Sequence, residues 1–351
     1  MNVGIIGYPL TGKSTLYRAA AQGHAKGDVT AVPVPDLRFD AIVAQVQPKK
    51  QTPATVILHD DIDAIAPTGK MFSLRFLDQA RKADVLLHVV RAFDSPMAPY
   101  HDDVDPARDQ EAVDVEMVLS DLATIENRLE RLQKMQQTKQ PGSQEYNEKA
   151  LFERIKPELE DGKPIRALGL SEEEQKTCSN FQFLSAKQTV VAFNVDEDHA
   201  SDPPENVKKR IAELAEIGTS AFAVCATIEE EIAMLDSADQ PEFLESLGLS
   251  APASAQMVKA IYDALGLITF FTAGENETRA WPLRRGSTAL KAASTIHNDI
   301  AKGFIRAEVV HYDDYAASGS LDAAYKEGKM TLEGKEHVIE DGDLLHIRNK
   351  S

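Results

Sequence analysis

Short apolar runs recur through the first two thirds of the chain, at residues 3–6, 55–58, 85–90, 189–193 and 221–224. Stretches with helical spacing stand between them, at 15–22, 72–81, 204–215 and 229–236. Runs that are apolar throughout belong to strands covered on both faces. Their alternation with helices predicts an α/β fold with a parallel sheet between helical layers. In such sheets ligands sit beyond the carboxyl ends of the strands.

The pattern changes from Asp114 to about residue 137. Val115, Val118, Leu122, Ile125, Leu129 and Leu132 fall three or four apart, the spacing of one helical face. Pro141-Gly142 marks a loop, and residues 143–155 predict a second helix returning antiparallel against the first. A stop follows at 160–164. Ser171 and Glu174 have the spacing of a capping box that opens a third helix. Residues 114–180 therefore read as a helical, coiled-coil-like insertion. Its alternating surface charges read as a solvated face.

A further change comes near Leu265. Residues 268–272 and 277–283 predict a hairpin across Ala273-Gly274-Glu275-Asn276, followed by a helix at 288–300 and a strand at 303–310. Residues 338–347 read as strand, Asp341-Gly342 turn, strand. The section 265–351 is expected to be a compact α+β domain with a mostly antiparallel or mixed sheet.

Composition limits the options. The chain has 351 residues, room for two or three domains, with 43% hydrophobic and 27% charged positions. No run approaches the roughly 20 apolar residues that span a bilayer, and the N-terminus reads as a first strand instead of a leader. Two cysteines, Cys178 and Cys225, are too few for a disulfide framework and lack metal-ligand spacing. A reducing cytoplasm is the expected location. The net charge of −18 argues against a general nucleic-acid binder. From Gly266 onward, however, 11 Lys and Arg face 13 Asp and Glu, against 27 and 43 in the remainder. The tail has room for a local basic patch.

Candidate chemistry sits after the first apolar run. Gly7-Tyr8-Pro9-Leu10-Thr11-Gly12-Lys13-Ser14-Thr15 contains G-x-x-x-x-G-K-S between a predicted strand and a predicted helix. This is a phosphate loop. Glycines let the backbone curl close to an anion, and the helix N-terminus offers N–H donors. Lys13 reaches outer phosphates, and the Ser14 hydroxyl suits Mg²⁺, which takes few protein ligands. The loop makes residues 1–113 and 181–264 a nucleotide-binding domain that the helical insertion interrupts.

Further strings resemble the YchF family of Obg-like, translation-factor-related P-loop ATPases. Gly12-Lys13-Ser14-Thr15-Leu16 is similar to the family phosphate loop, and Val34-Pro35-Asp36-Leu37-Arg38-Phe39-Asp40 to the stretch after its first switch. Pro53-Ala54-Thr55 resembles the lead-in to the second switch. His88-Val89-Val90-Arg91-Ala92-Phe93 and Val104-Asp105-Pro106-Ala107-Arg108-Asp109 resemble runs flanking the insertion's entrance. Asn194-Val195-Asp196-Glu197 resembles the base-reading Asn-x-x-Glu, and Ala226-Thr227-Ile228-Glu229 the last base-contacting loop. Arg279-Ala280-Trp281 and the run from Lys302 to Glu308 resemble the C-terminal TGS, β-grasp-like domain.

The resemblance implies ATP and Mg²⁺ as cofactors. Guanine readers carry Asn-Lys-x-Asp. Here Val195 replaces the Lys, and Glu197 is a methylene longer than Asp, which misplaces the carboxylate for guanine. Asn194 is the expected base contact, with Glu197 and Ala226 beside it, and Ser14 and Asp60 are the expected metal-linked pair. The TGS-like tail implies ribosome or RNA contacts. Arg279, Arg284, Arg285, Lys302 and Arg306 are available for phosphates. Trp281 and Phe304 read as core aromatics, with base stacking as the alternative.

The switches depart from the family. The first, at 24–31, is short, and Thr30 is its only threonine. In the second, Asp60-Asp61-Ile62-Asp63 stands where Asp-x-Ala-Gly is expected, so Asp63 replaces the glycine whose N–H meets a γ-phosphate. Only Gly69 remains of the glycine-rich run. No group that would orient water can be named, and neighbouring His59 reads as a strand-end histidine. Two readings follow: an ATPase with slow or regulated hydrolysis, or a non-hydrolysing nucleotide-binding or interaction module. A small-molecule kinase would need an Arg-rich lid, which the sequence lacks.

Overall fold

The computed structural model describes residues 1–22, 27–69, 71–136, 138, 140–236 and 238–350. They form two compact units, residues 1–30 with 57–257 and residues 31–56 with 258–350.

The first unit is built on a six-stranded sheet in the order β2-β4-β1-β5-β6-β7. The strands are β1 (Asn2–Ile6), β2 (Val29–Pro33), β4 (Thr55–His59), β5 (Val85–Arg91), β6 (Gln188–Asn194) and β7 (Ala221–Val224). The pairs of β1 with β4 and β5, of β5 with β6, and of β6 with β7 are all parallel. The apolar runs thus became strands of this sheet, four of them internal and β7 at its edge, and every residue of β5 is buried. Helix Lys13–Ala20 packs beside helix Ala226–Met234, and Arg18 pairs with Glu230 between them.

The insertion begins earlier than its periodicity suggested. Asp105 caps helix Pro106–Gln133, accepting from the Arg108 N–H, with Pro106 in the first turn. Residue 137, to which the pattern extended this helix, lies outside the described residues. Helix Gln144–Glu160 returns antiparallel. Arg128 pairs with Glu148, and Glu126 pairs with Lys156 further along the second helix. Ser171 and Glu174 make the expected reciprocal capping box on helix Glu172–Ser179. Buried Ile125, Phe152, Ile155 and Phe183 fill the space between. Asp121 ties the insertion down, accepting from the N–H groups of Leu184 and Ser185 at 3.0 and 2.7 Å.

The second unit carries the other six-stranded sheet, β11-β10-β12-β8-β9-β3. Its strands are β3 (Gln51–Thr52), β8 (Leu267–Thr272), β9 (Thr278–Arg284), β10 (Phe304–Val310), β11 (Thr331–Glu333) and β12 (Leu344–Asn349). The β8–β9 hairpin is as expected. Two readings are corrected. Residues 338–347 do not form a hairpin: β12 pairs antiparallel with β10 and parallel with β8. The Asp341-Gly342 turn instead aims β12 into the sheet, and long-range pairing prevails over the local turn signal. The helix at 288–300 is two helices, Ala289–Ile296 and Asn298–Lys302. His297 breaks them with extended backbone and caps the second through its ring.

Residues 31–56 were expected in the nucleotide-binding domain, yet they are grouped with the C-terminal sheet. Helix Leu37–Val46 buries Phe39 and Ile42 with Phe271, Ala280, Tyr315 and Leu344. β3 adds an edge strand parallel to β9. Arg38 bridges Asp36 and Asp341 at 2.8 Å each. Among the described residues no helix is long and apolar enough to cross a membrane.

Candidate functional site

β1 leads directly into the loop, and two glycines give it its shape. Gly7 and Gly12 have φ of 147° and 92°, a region L side chains rarely adopt. A Cβ on Gly7 would collide with the Val89 carbonyl, and one on Gly12 with the Asn194 amide. Between them Leu10 also takes a positive φ of 62°. Pro9, Leu10 and Ser14 are exposed, whereas Tyr8 and Thr11 are buried. Tyr8 therefore offers backbone to the cradle while its ring packs inward beside His101, which also packs on Tyr100. Burial pushes the Tyr8 phenol up to about 12. Thr11 Oγ1 donates to the Tyr8 carbonyl at 3.1 Å.

Lys13 folds over the loop. Its Nζ donates to the carbonyls of Tyr8 at 2.6 Å and Gly7 at 3.1 Å. Burial pulls its pKa down to about 8, against the opposing charge of Asp60. Burial raises the pKa of the Asp60 carboxylate, although the nearby Ser14 hydroxyl and the Lys13 charge both pull it down. The Asp60 N–H is held by the Asp28 carbonyl at 2.8 Å. Ser14, Thr15 and Lys13 open the helix, where the first N–H groups have no intrahelical partner.

The base-reading candidates gather at the same end of the sheet. Asn194 ends β6 and is buried. Its Nδ2 donates to the Thr11 carbonyl at 2.9 Å, and its Oδ1 accepts from the Ala226 N–H at 2.9 Å. It is thus a tie between the phosphate loop and the start of helix Ala226–Met234, and its second amide hydrogen has no partner among the described residues. Val195 is buried among Cys225, Ile228 and Ile232. Glu197 is exposed and accepts from Thr227 Oγ1 at 3.4 Å.

Arg91 supports the loop from below, a role the sequence did not disclose. Its Nη1 donates to the Leu10 carbonyl at 3.2 Å and its Nε to Phe93 at 3.0 Å. Phe93 and Tyr100 sandwich the guanidinium at 4.3 and 4.8 Å. Tyr100 in turn donates to Asp109 at 2.8 Å in the first turns of the insertion. The available signal was an arginine ending a largely apolar central strand. His88, on the same strand, is fully buried and held neutral, its pKa pushed down to about 3 by desolvation and by Lys13.

The switch candidates are placed differently. Residues 24–26 of the short first switch lie outside the described residues. Asp63 turns away from the loop, toward Ser73 at 3.1 Å and Arg75 at 3.4 Å. His59 bonds Asn2 at 3.1 Å and faces Asp61 at 3.4 Å, a strand-end role. In the second unit Phe304 is core, and Trp281 packs against that core under Arg279, 3.9 Å from its ring. Arg284, Arg285 and Arg306 are exposed, and Lys302 is paired with Asp299.

The site suits a nucleotide and Mg²⁺. Two glycines leave a cradle that any Cβ would fill, and one hydroxyl is paired with one carboxylate beside it. Among the described residues no three His, Cys, Asp or Glu gather as a metal cluster. Mg²⁺ needs none, because it keeps most of its water. A parallel sheet carrying this loop, a helical insertion and a C-terminal α+β domain of the TGS kind define a P-loop NTPase fold of the Obg-like class.

The comparisons narrow the class. Residues 267–350 match YchF-GTPase_C, described as a protein of unknown function (DUF933). The chain is 38% identical over 364 residues to the Ribosome-binding ATPase YchF of Bacillus subtilis, covering 99% of each. It is 37% identical over 359 residues to that of Haemophilus influenzae, covering 98% of each. The Schizosaccharomyces pombe YchF GTPase structure superposes with a TM-score of 0.87 at 29% identity, covering 99% of this chain and 97% of that one. The chain belongs to the YchF family.

Proposed function

We propose that this chain binds ATP in preference to GTP, with Mg²⁺, and hydrolyses it slowly or under the control of a ribosomal or RNA partner. The observation that carries the nucleotide reading is the glycine cradle closed around Lys13, with Ser14 and Asp60 paired at its rim. Lys13 and the loop N–H groups of residues 10–15 would hold phosphates. Ser14 and Asp60 would hold Mg²⁺, which neutralises charge on the outer phosphates. Asn194 has one amide hydrogen left for a base, with Glu197 and Ala226 at the same edge.

Base choice rests on Val195 and Glu197. The buried Val195 gives no lysine stem over a base, and Glu197 sets its carboxylate further out than an Asp would. The names of the relatives point both ways, ATPase for the bacterial ones and GTPase for the yeast one. Calorimetric titration with ATP, GTP and a non-hydrolysable ATP analogue, with and without Mg²⁺, tests the assignment. ATP is expected to bind more tightly than GTP, and Lys13→Ala to abolish binding. Unchanged ATP affinity in Lys13→Ala would refute it.

The position of Asp63 favours a second reading, a nucleotide-binding module that does not hydrolyse. That reading predicts phosphate release no faster than the Lys13→Ala control, even with ribosomes present. Ribosome association itself is supported by the bacterial relatives' name and by exposed Arg284, Arg285 and Arg306. Salt-dependent co-sedimentation that weakens when Arg284 and Arg285 are neutralised is the expected result.

A further inference from the structure

One helix closes over the segment where a second switch would move. Gln79, on helix Leu74–Lys82, grips it twice. Its Oε1 accepts from the Asp63 N–H at 2.9 Å, and its Nε2 donates to the Asp61 carbonyl at 2.5 Å. The Asp63 carboxylate turns to the start of the same helix. There Ser73 Oγ donates at 3.1 Å and the Arg75 guanidinium lies 3.4 Å away. Between the gripped residues, Ile62 is buried over Gly4, where a Cβ would collide with its Cδ1. Ile65 is fully buried, and the Ala66 N–H bonds the Met71 carbonyl at 3.0 Å.

We infer that Gln79 is a positioning residue for the nucleotide site. It takes up the Asp63 N–H that a γ-phosphate would draw in, and it fixes the backbone that carries Asp60. The inference rests on the nucleotide reading above and concerns its regulation. A peptide N–H has one hydrogen, and here it is spent on Gln79. Redirecting it to a phosphate would break the bond to Gln79 Oε1 and pull on the backbone next to buried Ile62. It would also bring the Asp63 carboxylate toward like charge. A ligand shifts a conformation only by its differential affinity for the two states. Triphosphate and diphosphate therefore meet the same clasped surface.

Amide hydrogen exchange across residues 60–69 and calorimetric affinities test this in the full chain. The states are nucleotide-free, Mg-ADP, and Mg with a non-hydrolysable ATP analogue, in wild type, Gln79→Ala and Gln79→Glu. Wild type is expected to protect the amides of 62–66 without nucleotide, with changes under about twofold on adding either one. Its two affinities are expected within about fivefold of each other. Gln79→Ala should speed exchange at 61–63 at least about tenfold and shift the affinity ratio toward the triphosphate. Gln79→Glu keeps the acceptor, loses the donor and should fall between. Wild-type protection that appears with the analogue but not with ADP would overturn the inference. So would nucleotide-free exchange indifferent to Gln79→Ala. If neither nucleotide binds wild type, the nucleotide reading fails, and the nucleotide-free comparison still decides whether Gln79 holds the segment.

Discussion

The phosphate loop at 7–15 and the segment at 60–73 flank the same site, yet they are held by opposite means. The loop is shaped by absences. Gly7 and Gly12 leave out side chains that would strike Val89 and Asn194. The second segment is shaped by additions, in which Gln79, Ser73 and Arg75 hold the N–H and carboxylate of Asp63. Binding an anion on backbone demands empty space, and no side chain can supply it. Releasing and ordering a loop demands weak internal contacts, and such contacts are easily replaced by stronger ones. The cradle is left open, and the segment beside it is held by side chains.

The sharpest way to break the comparison is Gly12→Ala. The added Cβ meets the Asn194 amide at a φ of 92°, and Asn194 is bonded on both sides. Backbone strain and the displaced tie together should cost roughly 3 kcal/mol or more in stability or in nucleotide binding. Urea unfolding and nucleotide titration measure the two shares. A variant equal to wild type in both would mean that the cradle does not depend on this space.

Asp60→Asn comes next. The Asn side chain keeps an oxygen for Ser14 but removes the charge that a divalent ion would meet. The expected loss in ATP affinity is about tenfold with Mg²⁺ and close to none without it, about 1.4 kcal/mol of metal-dependent binding. Equal losses in both conditions would indicate a structural role for Asp60.

The same contrast explains what could be read in advance. The loop was legible because glycines at fixed spacing after a strand have few other uses. The central strands were legible as continuous apolar runs, and the capping box at Ser171 as a local pattern. What escaped depends on distant partners. Arg91 is explained only by Leu10, Phe93 and Tyr100, which no local pattern joins to it. Phe39 and Ile42 sit in a string read as a switch neighbour, although their core partners are Phe271 and Leu344. The Asp341-Gly342 turn suggested a hairpin, because turn chemistry is local and strand pairing is not. The roles of Gln79 and Ser73 follow from contacts 10 to 18 residues away, beyond any helical or strand repeat.

pH separates the two regions further. Lys13 has its pKa lowered to about 8 by burial, and bound phosphates would raise it again. The ammonium form is the one that binds. Affinity should therefore be intact below pH 8 and fall as pH rises through that value, with proton uptake on binding. The expected loss between pH 7 and pH 8.5 is about fourfold. Titrations in buffers of different ionisation enthalpy detect the proton. Affinity flat over this range would show that the Lys13 charge is not what holds the phosphates.

The smallest expected effect is the most discriminating. Asp63→Ala removes the carboxylate facing Ser73 and Arg75 and leaves the N–H on Gln79. Arg75 is exposed, so the lost ion pair is worth about 0–1 kcal/mol of stability. ATP affinity should change by less than about twofold, because the clasp persists through the two Gln79 bonds and the Ile62 anchor. A large gain in ATP over ADP affinity would mean that repulsion from the Asp63 carboxylate, and not the captured N–H, keeps this segment from the outer phosphate. Carboxylate and amide of one residue thus make separable predictions. The difference between Asp63→Ala and Gln79→Ala identifies which of them keeps this segment from the outer phosphate.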